Sequence, residues 1–338
     1  MKAILVTNMA CRLFDPYPKS SRDEFFDLDE VINEVEKLLE GKFWPLLIGP
    51  KRTGKTSILK IVAKELNGIY IDASGIRSIR NLGNSLADKA EVKLQVDLKF
   101  IKVEISKKPT SGIQALLDKL GGSIILIDEV QNLISPWFLK LLANAYNNSQ
   151  VRFAFTGSMI GLARSLMGQG KGGELGRSFK GRPIIRIEVS PFDEEKGKEF
   201  LLTGFRNCGI EVKDEEVEDA VRAFRGIQGW LTYYGNFRAL GYTHGRAKEM
   251  VINVAEALVR EEVKELGELE RVVLRAISMV NEARWREVKA ITEGLLGREV
   301  KDWSFTHALK QLVNARLVRK INDHYSLIDP LYRLAFEN

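Results

Sequence analysis

The chain has 338 residues, 45% of them hydrophobic and 28% charged, with 28 glycines and 9 prolines; this excludes a disordered, collagen-like or low-complexity polymer and predicts two to three globular domains. Lys and Arg number 51 against 45 Asp and Glu, and a formal charge of +6 permits an anionic partner without requiring one. No stretch approaches the ~18 apolar residues of a membrane span, and the two cysteines and three histidines lack the close spacing of a zinc site.

The apolar stretch Ala3–Val6 is shorter than a signal-peptide core, so the expected location is the cytoplasm, with no membrane partner. Cys11 and Cys208 are read as lone thiols, which fit a reducing compartment better than a disulfide framework. Residues 1–20 are taken as an N-terminal extension. Phe43–Ile48 is an apolar run stopped by Gly49 and predicts a buried strand. Lys55–Leu66 follows with apolar residues at helical spacing. Between them, Gly49-Pro50-Lys51-Arg52-Thr53-Gly54-Lys55-Thr56 fits the Gly-x4-Gly-Lys-Ser/Thr template of the P-loop, at the required strand-to-helix junction. Its glycines let successive backbone N–H groups turn inward to a phosphate, and the helix behind adds its positive end. Gly49 to Ser57 are therefore the candidate phosphate-binding residues, with Lys55 reaching the β- and γ-phosphates and the Thr56 hydroxyl on Mg²⁺.

Gly68–Asp72 predicts a second strand and Ile76–Val92 a helix. Lys93–Thr110 is ambiguous and is read as a hairpin insertion, ahead of a helix at Ile113–Leu120. Ser123–Ile127 predicts a strand that ends in Asp128-Glu129. A carboxylate at a strand's carboxyl end suits Mg²⁺, which assigns Asp128; Glu129, one residue on and turned differently, can polarise an attacking water. An acidic helix cap is the bland alternative. A helix at Trp137–Tyr146 leads to the strand Val151–Phe155, followed by Thr156-Gly157-Ser158. Thr156 and Ser158 either sense the γ-phosphate or cap the next helix. Arg177, after the glycine-rich 168–176, either stabilises charge on the transferred phosphoryl group or is solvated. Ile184–Val189 is the last strand of the series. Apolar strands alternating with helices predict an α/β fold with a parallel sheet covered on both faces, over residues 21–190.

Beyond Pro191 the periodicity is helical: Glu194–Phe205, Glu215–Phe224, Gly229–Leu240 and Ala247–Leu266 predict a bundle over 191–266. From 267 to 338, three helices (Leu269–Val280, Trp285–Glu293, Phe305–Asn314) precede two short strands turned by Asn322-Asp323-His324, the order of a winged helix. In its third helix Phe305, Leu309 and Leu312 are expected in the core, with Thr306, His307, Lys310, Gln311 and Asn314 outward. Lys301, Lys310, Arg316, Arg319 and Lys320 are candidates for weak DNA contact. From Gly267 onward 12 Lys and Arg face 10 Asp and Glu, so the footprint of a strong duplex binder is missing and a protein partner is an equal alternative.

With these elements in place the chain resembles the archaeal P-loop ATPase family of the STAND/AAA+ group over nearly its whole length. The likeness is carried by Asp23-Glu24-Phe25-Phe26-Asp27, the loop at 49–56, Ile127-Asp128-Glu129-Val130-Gln131, Phe155-Thr156-Gly157-Ser158, Gly176-Arg177, Pro191-Phe192, Gly226 to Leu231, and Asp329-Pro330-Leu331. The resemblance implies an ASCE/AAA+-like core that binds ATP or ADP with Mg²⁺, a helical lid and a C-terminal winged helix. It also implies an adenine near Phe25 and Phe26, residues that fit an ordinary core equally well. Two positions depart from the family: Leu28 stands where an arginine is usual, and Gln228 where a lid proline is usual. Arg238, in a faint likeness to a lid arginine motif, is expected to be solvated. The implied activity is Mg-dependent ATP binding and hydrolysis coupled to lid and winged-helix movement. The alternative is a nucleotide-gated DNA- or protein-binding regulator with little turnover.

Overall fold

A computed structural model of the chain describes residues 11–157 and 184–337. They form two compact units. One comprises Pro18–Gly49 and Gly54–Val189; the other takes Pro50–Thr53, the chain from Ser190 onward and the N-terminal segment up to Tyr17.

The first unit is built on five parallel strands, β1 (Trp44–Ile48), β2 (Ile69–Asp72), β3 (Ile124–Asp128), β4 (Arg152–Gly157) and β5 (Ile184–Glu188), in the order β2-β3-β4-β1-β5. Successive strand residues point to opposite faces. Leu46, Ile48, Ile125, Ile127, Phe153 and Phe155 share one core with α3 (Ile79–Leu94), α5 (Pro109–Lys119) and α6 (Pro136–Asn148). Leu47, Leu126, Ala154 and Ile187 share the other with α1 (Asp29–Glu40) and α2 (Lys55–Glu65). Cover on both faces explains why the inner strands β1, β3 and β4 are apolar except near their ends, at Asp128, Arg152 and Thr156.

The expected hairpin in Lys93–Thr110 is a helix, α4 (Lys99–Lys107), followed directly by α5. The alternation of Ile101, Val103 and Ile105 suggests a strand, yet only Ile105 is buried, while Phe100 is 94% exposed. Packing against two glycines decides the matter. A Cβ on Gly112 of α5 would lie 2.4 Å from the Ile105 backbone nitrogen, and one on Gly83 of α3 would lie 2.9 Å from the Ile105 side chain. Three helices thus close around one isoleucine, which outweighs local β-propensity.

In the second unit, α7 (Glu194–Cys208), α8 (Asp214–Phe224), α9 (Gln228–Ala239) and α10 (His244–Lys264) form the helical bundle. The Asp193 side chain caps α7 by accepting the Lys196 N–H at 2.8 Å, and Gly209, at φ 65°, ends it. Next come α11 (Glu268–Ser278), β6 (Ala283–Arg284), α12 (Trp285–Leu296), α13 (Asp302–Asn314), β7 (Val318–Ile321) and β8 (His324–Leu327). These strands make a small antiparallel sheet ordered β6-β8-β7. Its hairpin turns on Asn322 and Asp323, both at positive φ, so His324 belongs to β8 rather than to the turn. A 3-10 turn, Pro330–Ala335, follows.

The N-terminal segment is pinned into this unit by Phe14, which is fully buried against Phe200 and Phe205. A Cβ on Gly204 or Gly235 would overlap its ring, at 2.1 and 2.3 Å. That anchorage brings Cys11 to the end of α7, with 4.9 Å between the Cα atoms of Cys11 and Cys208. The expectation of two lone thiols is therefore corrected: these cysteines, 197 positions apart, form a disulfide.

Candidate nucleotide site

In the first unit's sheet the register sets Ile48 of β1 level with Gly157 of β4, and Ile127 of β3 level with Phe155. Gly49, Thr156 and Asp128 thus emerge at one carboxyl edge, where ligands of open α/β sheets bind. Because β4 stands between β1 and β3, Thr156 lies on the strand separating the loop strand from the acidic strand. Gly54 precedes the first turn of α2 at φ 86°, a conformation that strains any residue with a Cβ. The Lys55 side chain is buried and its Nζ donates to the Gly49 carbonyl at 3.1 Å, arching over the loop. Thr56, in the first turn of α2, is half-buried. Ser57 is buried, and its hydroxyl accepts the Lys19 N–H at 3.0 Å, which commits it to the segment before α1.

Phe25 also reaches this loop. Its ring lies 3.0 Å from where a Cβ on Gly54 would stand, and Leu28 lies 3.4 Å from the same point. Phe26 is half-buried. The turn bearing Phe25 is held by Arg22, which sequence reading did not single out. Its guanidinium binds Glu65 at 2.8 Å, Glu36 at 2.9 Å, Asp29 at 3.1 Å and Asn33 at 2.8 Å. Burial pushes the Glu36 carboxyl up, and the neighbouring Glu65 adds to the rise; Arg22 holds Glu65 down.

Asp128 is buried, and among the described residues its partners are neutral. The Tyr70 hydroxyl donates to Oδ2 at 2.8 Å, the Thr156 hydroxyl donates to Oδ1, and the Glu129 N–H reaches Oδ1 at 3.2 Å. Thr156 Oγ1 also accepts the Glu129 N–H at 3.0 Å. Burial, then the Asp128 charge, raises the Tyr70 phenol well above its ordinary range, so Tyr70 stays a donor. Glu129 sits at φ 51°, which turns its side chain away from the strand direction, and its carboxylate accepts from the Gln131 amide. Tyr70 carried no signal in sequence because its partner is 58 residues away.

Ser158 and Arg177 lie outside the described residues. No group of three or more His, Cys, Asp or Glu side chains among the described residues is arranged to hold a metal. The donors present, one buried carboxylate at Asp128 and a hydroxyl at Thr56, fit Mg²⁺, which takes one or two protein oxygens together with phosphate and water.

In the second unit the loop residues 50–53 are held tightly. Thr53 donates from its hydroxyl to the Pro50 carbonyl at 2.9 Å. Arg52, at φ 65°, stacks its guanidinium 4.2 Å over the Trp230 ring and donates from Nη2 to Glu262 Oε1 at 2.7 Å. Its carbonyl accepts the Gly229 N–H at 2.9 Å, and a Cβ on Gly229 would lie 2.7 Å from the Arg52 Cβ. Lys51 lies 3.5 Å from Glu262, and the Tyr332 hydroxyl donates to the other Glu262 oxygen. Trp230 in turn donates to Asp329 at 2.8 Å. Burial raises the Glu262 carboxyl, but Arg52, Lys51 and these hydrogen bonds outweigh it and hold it below its usual range. Asp329, nearly fully buried, is pushed up.

Gln228, at the position of the family proline, is buried and donates to the Ser190 carbonyl at 2.9 Å. Arg238 is not solvated as expected: its side chain is 11% exposed and paired with Glu216 at 2.9 Å. In α13, Phe305, Leu309 and Leu312 are buried and Thr306, His307 and Lys310 are exposed, as expected, but Gln311 and Asn314 are half-buried. Lys301, Arg319 and Lys320 are exposed and Arg316 is half-buried; Lys320 pairs with Asp323 at 2.7 Å.

The parallel sheet and the loop at its carboxyl edge define a nucleotide-binding α/β protein of the P-loop class. Residues 25–233 match the family described as an ATPase domain predominantly from Archaea, and the chain belongs to that family. Among solved structures it is similar to a Walker-type ATPase of Pyrococcus abyssi, at 28% identity and a TM-score of 0.83, covering 96% of this chain and 99% of that one. Weaker likenesses extend to Cdc6p of Pyrobaculum aerophilum (13% identity, TM-score 0.47, 96% of both chains). They extend also to RuvB of Thermotoga maritima (19% identity, TM-score 0.46, 93% and 96%). No curated protein matches the chain in sequence. Among the described residues no helix is long and apolar enough to cross a membrane.

Proposed function

We propose that the chain binds and hydrolyses ATP with Mg²⁺, and that turnover changes what its C-terminal helices present to a partner. The observation supporting this most directly is the buried, neutrally solvated carboxylate of Asp128 at the same sheet edge as the Gly49–Thr56 loop. Lys55 and the backbone N–H groups of the loop hold the phosphates. Thr56 and Asp128 would hold the metal, which when bound would neutralise phosphate charge. Glu129 orients the attacking water and accepts its proton, with Gln131 fixing the carboxylate. Ser158 and Arg177 belong to the reading through sequence alone, as γ-phosphate sensor and charge stabiliser. Phe25 is read as flanking the base.

A second reading, a nucleotide-gated regulator with little turnover, draws support from Arg52. A loop residue tied to Glu262, Trp230 and Gly229 offers a route from the phosphate-binding loop to the elements that follow. The partner is then a protein or, through the helix and hairpin of a winged-helix arrangement, DNA held weakly.

Calorimetry and phosphate release test both readings together. Lys55→Ala is expected to abolish ATP binding with the fold retained; unchanged affinity would refute the site. Glu129→Gln is expected to keep binding and to lower kcat by about 100- to 10,000-fold. A single burst with retained ADP in the wild-type chain would favour the regulator.

A further inference from the structure

In the second unit a cavity of about 180 Å³ opens where the ends of α8, α11 and β8 meet the closing 3-10 turn. Arg225, Ser278, Asn281 and Arg333 contribute its polar lining. Arg225 is the residue that ends α8, at φ 45°, and its Nη1 donates to the Leu327 carbonyl at 2.9 Å. Arg333 donates from Nε to the Pro330 carbonyl at 3.0 Å, and the nearby Arg319 donates to the Ser326 hydroxyl at 2.9 Å. All three guanidinium groups thus bond neutral oxygens, and among the described residues none of them is in an ion pair.

Three like charges drawn together by a fold cost stability unless something neutralises them. The carboxylates whose charge reaches Arg225 are Glu282 and Asp329. Asp329 is already occupied by the Trp230 indole N–H and the Leu331 N–H, and its burial favours the neutral acid. The negative ends of α8 and α11 supply only partial charge. The balance is visible at Arg225: burial, then Arg319 and Arg333, lower its hold on a proton, and Glu282 and Asp329 do not restore it.

We propose that this cavity is a phosphate-binding site, distinct from the Gly49–Thr56 loop, in which Arg225 and Arg333 grip one phosphate group, Arg319 adds charge from the edge, and Asn281 supplies a neutral hydrogen bond. Guanidinium forks approaching from separate elements suit an oxyanion with several oxygens better than a two-oxygen carboxylate. A space of this size is smaller than the ~300–1,000 Å³ of clefts that enclose whole small molecules. It therefore takes the phosphate alone, either as the free ion or as one unit of a nucleic-acid backbone whose remainder stays outside.

The experiment uses the full-length chain carrying Lys55→Ala, so that the nucleotide loop does not contribute. Titration with inorganic phosphate, followed by calorimetry, is expected to show one site. Arg225→Gln and Arg333→Gln are each expected to weaken it at least about tenfold, as loss of a charge-assisted fork does. Arg333 is exposed, so its variant keeps the test decisive if Arg225→Gln melts early. A fluorescent DNA duplex titrated into the same variants separates the sources. Duplex binding that both substitutions weaken and phosphate competes away identifies the backbone; phosphate binding without duplex binding identifies the free ion. Absence of any phosphate binding, or binding of phosphate and duplex that neither folded variant changes, overturns the assignment. Because Lys55 is already replaced, neither result depends on the nucleotide loop.

Discussion

Two carboxylates in different units, Asp128 buried and Glu262 half-buried, each accept a hydrogen bond from a tyrosine, yet they end in opposite electrostatic states. Asp128 has Tyr70, Thr156 and a backbone N–H as partners, all neutral, so its charge remains available to a cation. Glu262 has Arg52 and Lys51 besides Tyr332 and is neutralised inside the protein. A buried charge held by dipoles alone suits a site that must accept an ion, whereas one paired with arginine fixes a conformation.

The contrast yields an ordered series of tests. Glu262→Ala should have the largest effect, about 3–5 kcal/mol of lost stability in urea unfolding, because it strands Arg52 beneath Trp230 without its counter-charge. The same pair sets a pH dependence. Since Glu262 is held below its ordinary range, its contribution is present above the unfolded carboxyl pKa of about 4.3 and is lost as pH falls through the lower folded value. Asp329 works the other way, since its raised acid favours the folded state on acidification. The melting-temperature gap between wild type and Glu262→Gln should therefore close in acid; a gap that widens would mean the carboxylate is not the stabilising form.

Gly229→Ala should cost about 1–3 kcal/mol, since the new methyl meets Arg52 at 2.7 Å and the loop carbonyl bonded to Gly229 must shift. It should also weaken ATP binding if the crown of the loop shapes the phosphate cradle, which calorimetry reads directly. Tyr70→Phe should be mildest, about 1 kcal/mol, because Thr156 and the Glu129 N–H remain on Asp128. If Tyr70→Phe destabilises as much as Glu262→Ala, the supposed difference between the two carboxylates disappears.

What could be read from sequence follows the range of the interaction concerned. The Gly49–Thr56 loop and the Asp128-Glu129 pair are local patterns at strand ends, and the apolar β1, β3 and β4 announce a sheet buried on both faces. α4 was hidden because its helical state depends on Gly83 and Gly112 in neighbouring helices, while its own residues alternate. The Arg52–Glu262 pair spans 210 residues, and nothing in a helix rich in Glu and Lys marks that one glutamate as the partner of a loop arginine. Arg238 misled for the same reason: a lone arginine near a helix end reads as solvated until Glu216 is placed beside it.

The Cys11–Cys208 bond has a topological consequence. It turns nearly three-fifths of the polypeptide into a covalent ring that carries all five parallel strands. A single protease cut anywhere on that ring opens it without releasing a fragment, so a nicked molecule runs as one band in electrophoresis until a thiol reductant parts it.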